Sequence, residues 1–259
     1  MYIKSLHFYL FFIIPFISTA QTNPVLSVGD VEKVKIEGQN IKFTTENAFG
    51  EIIVYGSNII RVRLDKKELQ KDFSYAVIAQ PQQTKTRITQ TDEAITVSTD
   101  SLKVIISKKP YNVAFYTLDG KIINQDEKGL QNSWVDEEVT AYKHMQNGER
   151  FIGLGEKTGN LDRRGEGYTN WNTDAFGYAT NRDPIYSTIP FYMGIHDGLN
   201  YGIFLDNTYQ TDFNFGASND RFSSFAAQGG ELNYYFIYHT QLKDIISSYT
   251  ALTGRMKMP

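Results

Sequence analysis

The 259-residue chain contains no cysteine, which excludes a disulfide framework, a thiolate metal site and a lipid-anchored cysteine behind a leader. It has no Asn-x-Ser/Thr sequon, weakly against a glycosylated eukaryotic export product. It has no Gly-x-Ser-x-Gly elbow, so serine-hydrolase chemistry has no anchor. Basic runs are missing too: 26 Lys and Arg stand scattered against 29 Asp and Glu, for a formal charge of −3. That removes the electrostatic footprint of nucleic-acid binding, and neither DNA nor RNA is an expected partner. Beyond residue 20 only His144, His196 and His239 remain of the histidines, far apart and without metal-ligand spacing. No metal and no cofactor is expected. A long apolar run is also lacking, because the stretch 8–17 is about half the ~20 residues of a membrane span.

That short apolar stretch follows Lys4 and His7 and precedes Ser18-Thr19-Ala20, small residues at −3 and −1 of a cut before Gln21. Residues 1–20 therefore read as a secretory signal peptide, and the mature protein is expected to be exported, periplasmic or extracellular, with no membrane segment left after cleavage. The chain as a whole is 41 % hydrophobic and 14 % aromatic, ample for a core. From Ile41 onward short period-two segments dominate. Ile60, Val62 and Leu64 alternate with Arg61 and Arg63, Ile95 and Val97 with Thr96 and Ser98, and Leu102, Val104 and Ile106 share a face. These read as half-buried strands joined by turns at 55–58, 90–93, 108–110 and 118–121. Further strands are expected at 151–154, 189–195, 201–205, 221–226 and 232–238, so the fold class is mainly β, an antiparallel sandwich. One segment differs: Leu242, Ile245, Ile246, Tyr249 and Leu252 recur at helical spacing, with Thr240 placed to cap the start and Gly254 just past the end. That predicts a C-terminal amphipathic helix.

The string Gly153-Leu154-Gly155-Glu156-Lys157-Thr158-Gly159 resembles two nucleotide motifs and satisfies neither. A dinucleotide fingerprint needs glycine where Thr158 stands, and a P-loop needs glycine where Glu156 stands. The glycines and charges of 153–170 instead describe a long exposed loop leading into Trp171-Asn172-Thr173-Asp174-Ala175-Phe176-Gly177-Tyr178. Flat rings beside amides and a carboxylate suit sugars, whose C–H faces pack on rings while hydroxyls bond to polar groups. A loop stapled down by its own aromatics is the plainer alternative. Carboxylates such as Glu156, Asp162, Asp174, Asp183, Asp206 and Glu231 are plentiful, but a catalytic pair requires a separation in space, and most of these acids are expected to form turns or face solvent.

In order, "FIGLGEKTGNLDRRGEGYTNWNTDAFGY", "DPIYSTIPFYMGI", "YGIFLDN", "GGELNYYFIY" and "YTALTGRMKMP" resemble the amino-terminal region of glycoside hydrolase family 31, especially its α-glucosidases, with weaker support in "NIIRVRL". The resemblance implies a galactose-mutarotase-like supersandwich over residues 21–240, then a helix and linker, 241–259, leading toward a (β/α)₈ barrel. In the family the two catalytic aspartates lie on that barrel, so the chain is expected to be a fragment or truncated product with no catalytic residue of its own. The resemblance further implies that the "WNTDAF" loop reaches over the barrel mouth. Asp174 would contact an α-glucoside or oligosaccharide on the leaving-group side, with Trp171, Asn172 and Phe176 beside it. A free-standing carbohydrate-binding module would share the fold and the aromatic loop. Glycan binding by the chain without a barrel would favour it, and no binding would favour the wall. A mutarotase-type enzyme would need a histidine and a carboxylate converging on a sugar.

Overall fold

The computed structural model describes residues 23–256. The expected signal peptide and the last linker residues lie outside that range. Three antiparallel sheets make up the domain. The largest runs, in spatial order, through Arg150–Gly155, Thr188–His196, Leu199–Leu205, Leu232–Tyr238, Ile59–Asp65, Phe49–Gly56, Asn40–Thr45 and Val31–Glu37. A five-stranded sheet orders Ile122–Gln125, Tyr111–Tyr116, Lys103–Lys108, Ala94–Ser98 and Arg87–Gln90. A six-stranded sheet orders Val25–Ser27, Ser133–Val135, Glu138–His144, Phe222–Ala227, Thr211–Asn214 and Gly167–Asn170. The two smaller sheets face the eight-stranded one, and a single core holds Ile60, Val62 and Leu64 against Val104, Ile106, Phe225 and Phe213. Phe115 stacks on Phe236 at 3.8 Å between centroids, and Phe225 meets Tyr234 edge-on at 5.3 Å. The expected sandwich is present, and the turns at 55–58, 90–93, 108–110 and 118–121 each join neighbouring strands.

The eight-stranded sheet departs from the half-buried expectation because its second face is covered as well. The helix Leu242–Thr253 lays Ile245 and Leu252 on Phe204, Tyr235 and Ile237, and Tyr249 stacks on Phe191 at 4.1 Å. The irregular strap 66–86 covers the neighbouring strip with Ala76, Val77 and Ala79. Arg61 and Arg63, which alternation would send to solvent, are therefore buried and must be paired. Arg61 makes a two-pronged bond to Asp72 at 2.6 and 2.8 Å and a third to Asn233 Oδ1 at 2.9 Å. Arg63 holds Glu51 at 3.1 Å and Glu231 at 2.9 Å. Such planar bidentate pairing is what a guanidinium does best.

The helix begins one residue later than Thr240 would place it. Gln241 is the N-cap and makes no side-chain capping bond, while the Thr240 carbonyl accepts from Asn200 Nδ2 at 2.8 Å. Burial of Ile245 and Leu252 sets the start instead, and Ile246 is left largely exposed. Gly254 ends the helix at φ 101°, its N–H bonding Thr250 O at 2.9 Å. The Gly153-Leu154-Gly155 string turns out to be a bulge: the register against Thr188–His196 shifts between the two glycines, at φ 143° and 75°. A Cβ on Gly153 would lie 2.5 Å from the Phe191 carbonyl, so glycine is needed for close backbone approach rather than for a phosphate.

Candidate functional site

The segment 153–187 is less exposed than its composition suggests. It contains the strand Gly167–Asn170, and Arg163 is buried, donating to Thr158 O at 2.9 Å and Asn160 O at 2.6 Å. Lys157 donates to Asp183 at 2.7 Å and to Thr169 O at 2.6 Å, while the Thr169 amide bonds the other Asp183 oxygen at 2.5 Å. Asp183 thus clamps the return of the loop onto its departure. Burial lowers the Lys157 pKa, opposed by the attraction of Asp183.

On this frame the Trp171–Tyr178 stretch alternates anchored and presented residues. Asn172 Oδ1 accepts from the Thr188 amide at 2.9 Å and its hydroxyl at 2.8 Å. Thr173 Oγ1 donates to Pro184 O at 3.1 Å, and buried Ala175 receives the Tyr186 hydroxyl on its carbonyl at 3.2 Å. Between these anchors Asp174 faces solvent, and Phe176 is 95 % exposed. Tyr178 packs edge-on against Tyr186 at 5.8 Å. Self-stapling therefore accounts for Tyr178 and leaves Phe176 and Trp171 free of it. Trp171 and Asn172 line an open groove of about 360 Å³ together with Asn170, Tyr209 and Thr211. Asp174 and Phe176 lie outside that groove, so the four expected residues share one loop but present two faces. Asn170 and Tyr209 were missed by sequence reasoning, since nothing in the spacing joins them.

Arginines gather several of the carboxylates. Glu51 and Glu231 share Arg63. Beside Arg61, Asp72 is held below its ordinary pKa by its hydrogen bonds to the guanidinium, and Asp206 is pushed up by burial. Asp206 accepts from Ser74 Oγ at 2.9 Å and Asn233 Nδ2 at 3.3 Å, so this pair ties the strap to the sheet. Glu149 lies near His196, and both are buried. His196 Nε2 donates to Ile123 O at 2.7 Å, and Glu149 accepts from Tyr201 at 2.7 Å and the Gln146 amide at 2.8 Å. A sugar has no access to them. His239 bonds Ser248 at 2.7 Å.

Burial raises the Glu149 pKa above its ordinary 4.5, against those hydrogen bonds. The folded chain therefore holds this proton more tightly than the unfolded chain does. The resulting stabilisation is complete below the unfolded pKa and is lost as pH rises through the folded one. Glu149→Gln keeps the shape without the charge and is expected to gain stability relative to the parent between pH 4 and pH 8. Urea midpoints across that range test this, and a constant difference between the two proteins would contradict it.

The family model of the glycosyl hydrolase 31 N-terminal galactose mutarotase-like domain matches residues 50–214. Alpha-glucosidase 2 of Bacillus thermoamyloliquefaciens is 32 % identical over 237 residues, 90 % of this chain and 30 % of that protein. The alpha-xylosidase XylQ of Lactiplantibacillus pentosus is 29 % identical over 173 residues, 65 % of this chain and 22 % of its own length. Among solved structures, a GH31 dextranase of Flavobacterium johnsoniae complexed with isomaltotriose aligns with a TM-score of 0.84 at 31 % identity, covering 90 % of this chain and 29 % of that one. The chain thus spans less than a third of the length of these relatives. With the sandwich, the covering helix and the matched residues in agreement, the chain belongs to the glycoside hydrolase family 31 N-terminal galactose mutarotase-like domains.

Proposed function

We propose that this domain serves a secreted α-glucosidase-like hydrolase by lending the loop 171–187 as one wall of a sugar pocket formed with a catalytic barrel. The observation that carries this reading is the alternation of anchors and presented groups: Asn172, Thr173 and Ala175 are tied down, while Asp174 and Phe176 project. A carboxylate held out on a fixed backbone is preorganised to accept bonds from sugar hydroxyls, and an exposed ring beside it offers a packing face. Trp171 and Asn172, on the same loop, line a groove on its other face. Glu51, Glu231 and Asp72 are each bound to an arginine, so none of these three is free to serve as a retaining carboxylate. Kinetics of an Asp174→Ala variant in a chain that carries the barrel test the reading. A fall in kcat/KM supports it, and wild-type kinetics contradict it.

A carbohydrate-binding module is the second reading, favoured by the Trp171 groove. Export completes the proposal, on the strength of the short apolar stretch 8–17 and the small residues at 18 and 20. The secreted product is expected to begin at Gln21. Intact-mass spectrometry finding residues 1–20 still attached to exported material would contradict this.

A further inference from the structure

The glycine string Gly153-Leu154-Gly155 has no part in the proposed wall, and neither does the lysine two residues beyond it. The bulge shifts the register against Thr188–His196, after which Gly155 pairs with Thr188 and the Glu156 amide donates to Ser187 O at 3.0 Å. A bulge re-aims the side chains beside it. Here Glu156 is exposed, while the Lys157 side chain is turned inward and is 0 % exposed. Its Nζ lies 5.8 Å from the centroid of the Tyr168 ring, and the Arg163 guanidinium lies 5.1 Å from the same ring.

That ammonium sits at the base of the loop. It donates to Thr169 O at 2.6 Å, where the chain is about to leave the strand Gly167–Asn170, and to Asp183 Oδ1 at 2.7 Å, where the chain returns. Thr169 is itself fixed to the six-stranded sheet, since it pairs with Asp212 in register and its hydroxyl donates to Asp212 Oδ1 at 2.5 Å. Beside Asp183, the Arg182 carbonyl accepts from Thr158 Oγ1 at 3.1 Å. The other anchors differ in kind. Thr173 and Ala175 are tied to Pro184 and Tyr186, within the loop, which fixes its shape and not its place. Asn172 does reach Thr188 on the eight-stranded sheet, through neutral and exposed bonds. Charge-assisted bonds are roughly twice as strong as neutral ones. The contact that places the loop is therefore Lys157 with Asp183.

We propose that Lys157 is a positioning residue for the 171–187 loop, aimed by the glycine bulge so that its ammonium binds Asp183 to Thr169 and thereby fixes where Asp174 and Phe176 stand. It acts through Asp183 and Thr169 and bonds to neither presented group. The lysine of the string that resembles a P-loop thus serves a carboxylate of its own chain. Its effect on loop order is independent of the wall reading, and only its effect on hydrolysis rests on that reading.

Arg182, exposed and directly before Asp183, gives trypsin a reporter bond at the clamp. Cleavage there needs the return leg to lift, so its rate tracks the open population. In the full chain carrying Lys157→Met, which removes the donor and keeps the stem, the fragment beginning at Asp183 is expected at least about tenfold faster than in the parent. Amide hydrogen exchange over 171–187 should accelerate as well, with the core strands Tyr111–Tyr116 and Leu232–Tyr238 unchanged. Asp183→Asn weakens the same contact from its more exposed side and should behave likewise, so it carries the test if Lys157→Met does not fold. Nicking and loop exchange at the parent's rates in a folded variant would overturn the proposal. Equal acceleration in the core strands would do so too, because it would make Lys157 a part of the general fold. In a chain that carries the barrel, Asp174→Ala should lower kcat/KM by a smaller factor in the Lys157→Met background than in the parent, since contacts that act together are not additive. If Asp174→Ala has no effect in the parent, the wall reading fails and the nicking result still stands. A protected loop in folded Lys157→Met, with the Asp174 effect intact, sinks the clamp alone.

Discussion

Lys143→Met is expected to destabilise the folded chain by about 3–5 kcal/mol, the cost of leaving a buried charge without its partner. Lys143 and Asp126 are 0 % and 1 % exposed and 2.6 Å apart, at the bridge where the five-stranded and six-stranded sheets meet. Lys143 also donates to the Tyr234 hydroxyl at 2.9 Å and lies 4.6 Å from that ring's centroid. Asp126 accepts from the Val113 amide at 2.9 Å. Every partner lies inside the sandwich, so neither charge finds water when the other is removed. Domains are stable by only about 5–15 kcal/mol, and for one of this size the loss corresponds to a thermal midpoint lower by roughly 6–20 °C. Asp126→Asn combined with Lys143→Met removes both charges while keeping an acceptor for Val113, and should cost less than Lys143→Met alone. Urea unfolding of the three proteins checks this. A single variant within about 0.5 kcal/mol of the parent, the range of ordinary surface changes, would mean the pair is not buried as described.

Asp174→Ala carries the largest expected effect on activity. In a chain that includes the catalytic barrel it should lower kcat/KM by roughly 10- to 150-fold, because a hydrogen bond to a charged group is worth on the order of 1.5–3 kcal/mol. Asp174 is exposed, so the variant should unfold at the parent's midpoint, which separates a lost substrate contact from a damaged fold. Activity within about twofold of the parent would mean that no such bond is made.

The sandwich was legible because its inner faces are written locally. Ile60, Val62 and Leu64 repeat at the period of a strand, and Leu242, Ile245, Tyr249 and Leu252 at that of a helix. The burial of Arg61 and Arg63 was not legible, since their partners Asp72, Glu231 and Asn233 arrive on the strap and on another strand. Nor did alternation announce that a second layer would cover the sheet's outer face. The loop at 171–178 stood out by composition, and its resemblance to the family pointed to Asp174. The groove did not stand out: Asn170 meets Tyr209 only because Gly167–Asn170 pairs with Thr211–Asn214. The one local hint was Gly229-Gly230, whose missing side chains make room for a ring twenty residues earlier.

The proposed wall role requires that this domain hydrolyse no glycoside by itself. The most direct measurement is release of p-nitrophenol from the α-glucoside by the chain from Gln21 to Pro259, purified and shown to melt cooperatively. A retaining hydrolase needs two carboxylates about 5–5.5 Å apart and free to act, whereas here Glu51 and Glu231 are bound to Arg63 and Asp72 to Arg61. No release above background is expected. Turnover that survives purification and disappears in Asp206→Asn or Glu231→Gln would contradict the account and make the sandwich a hydrolase in its own right.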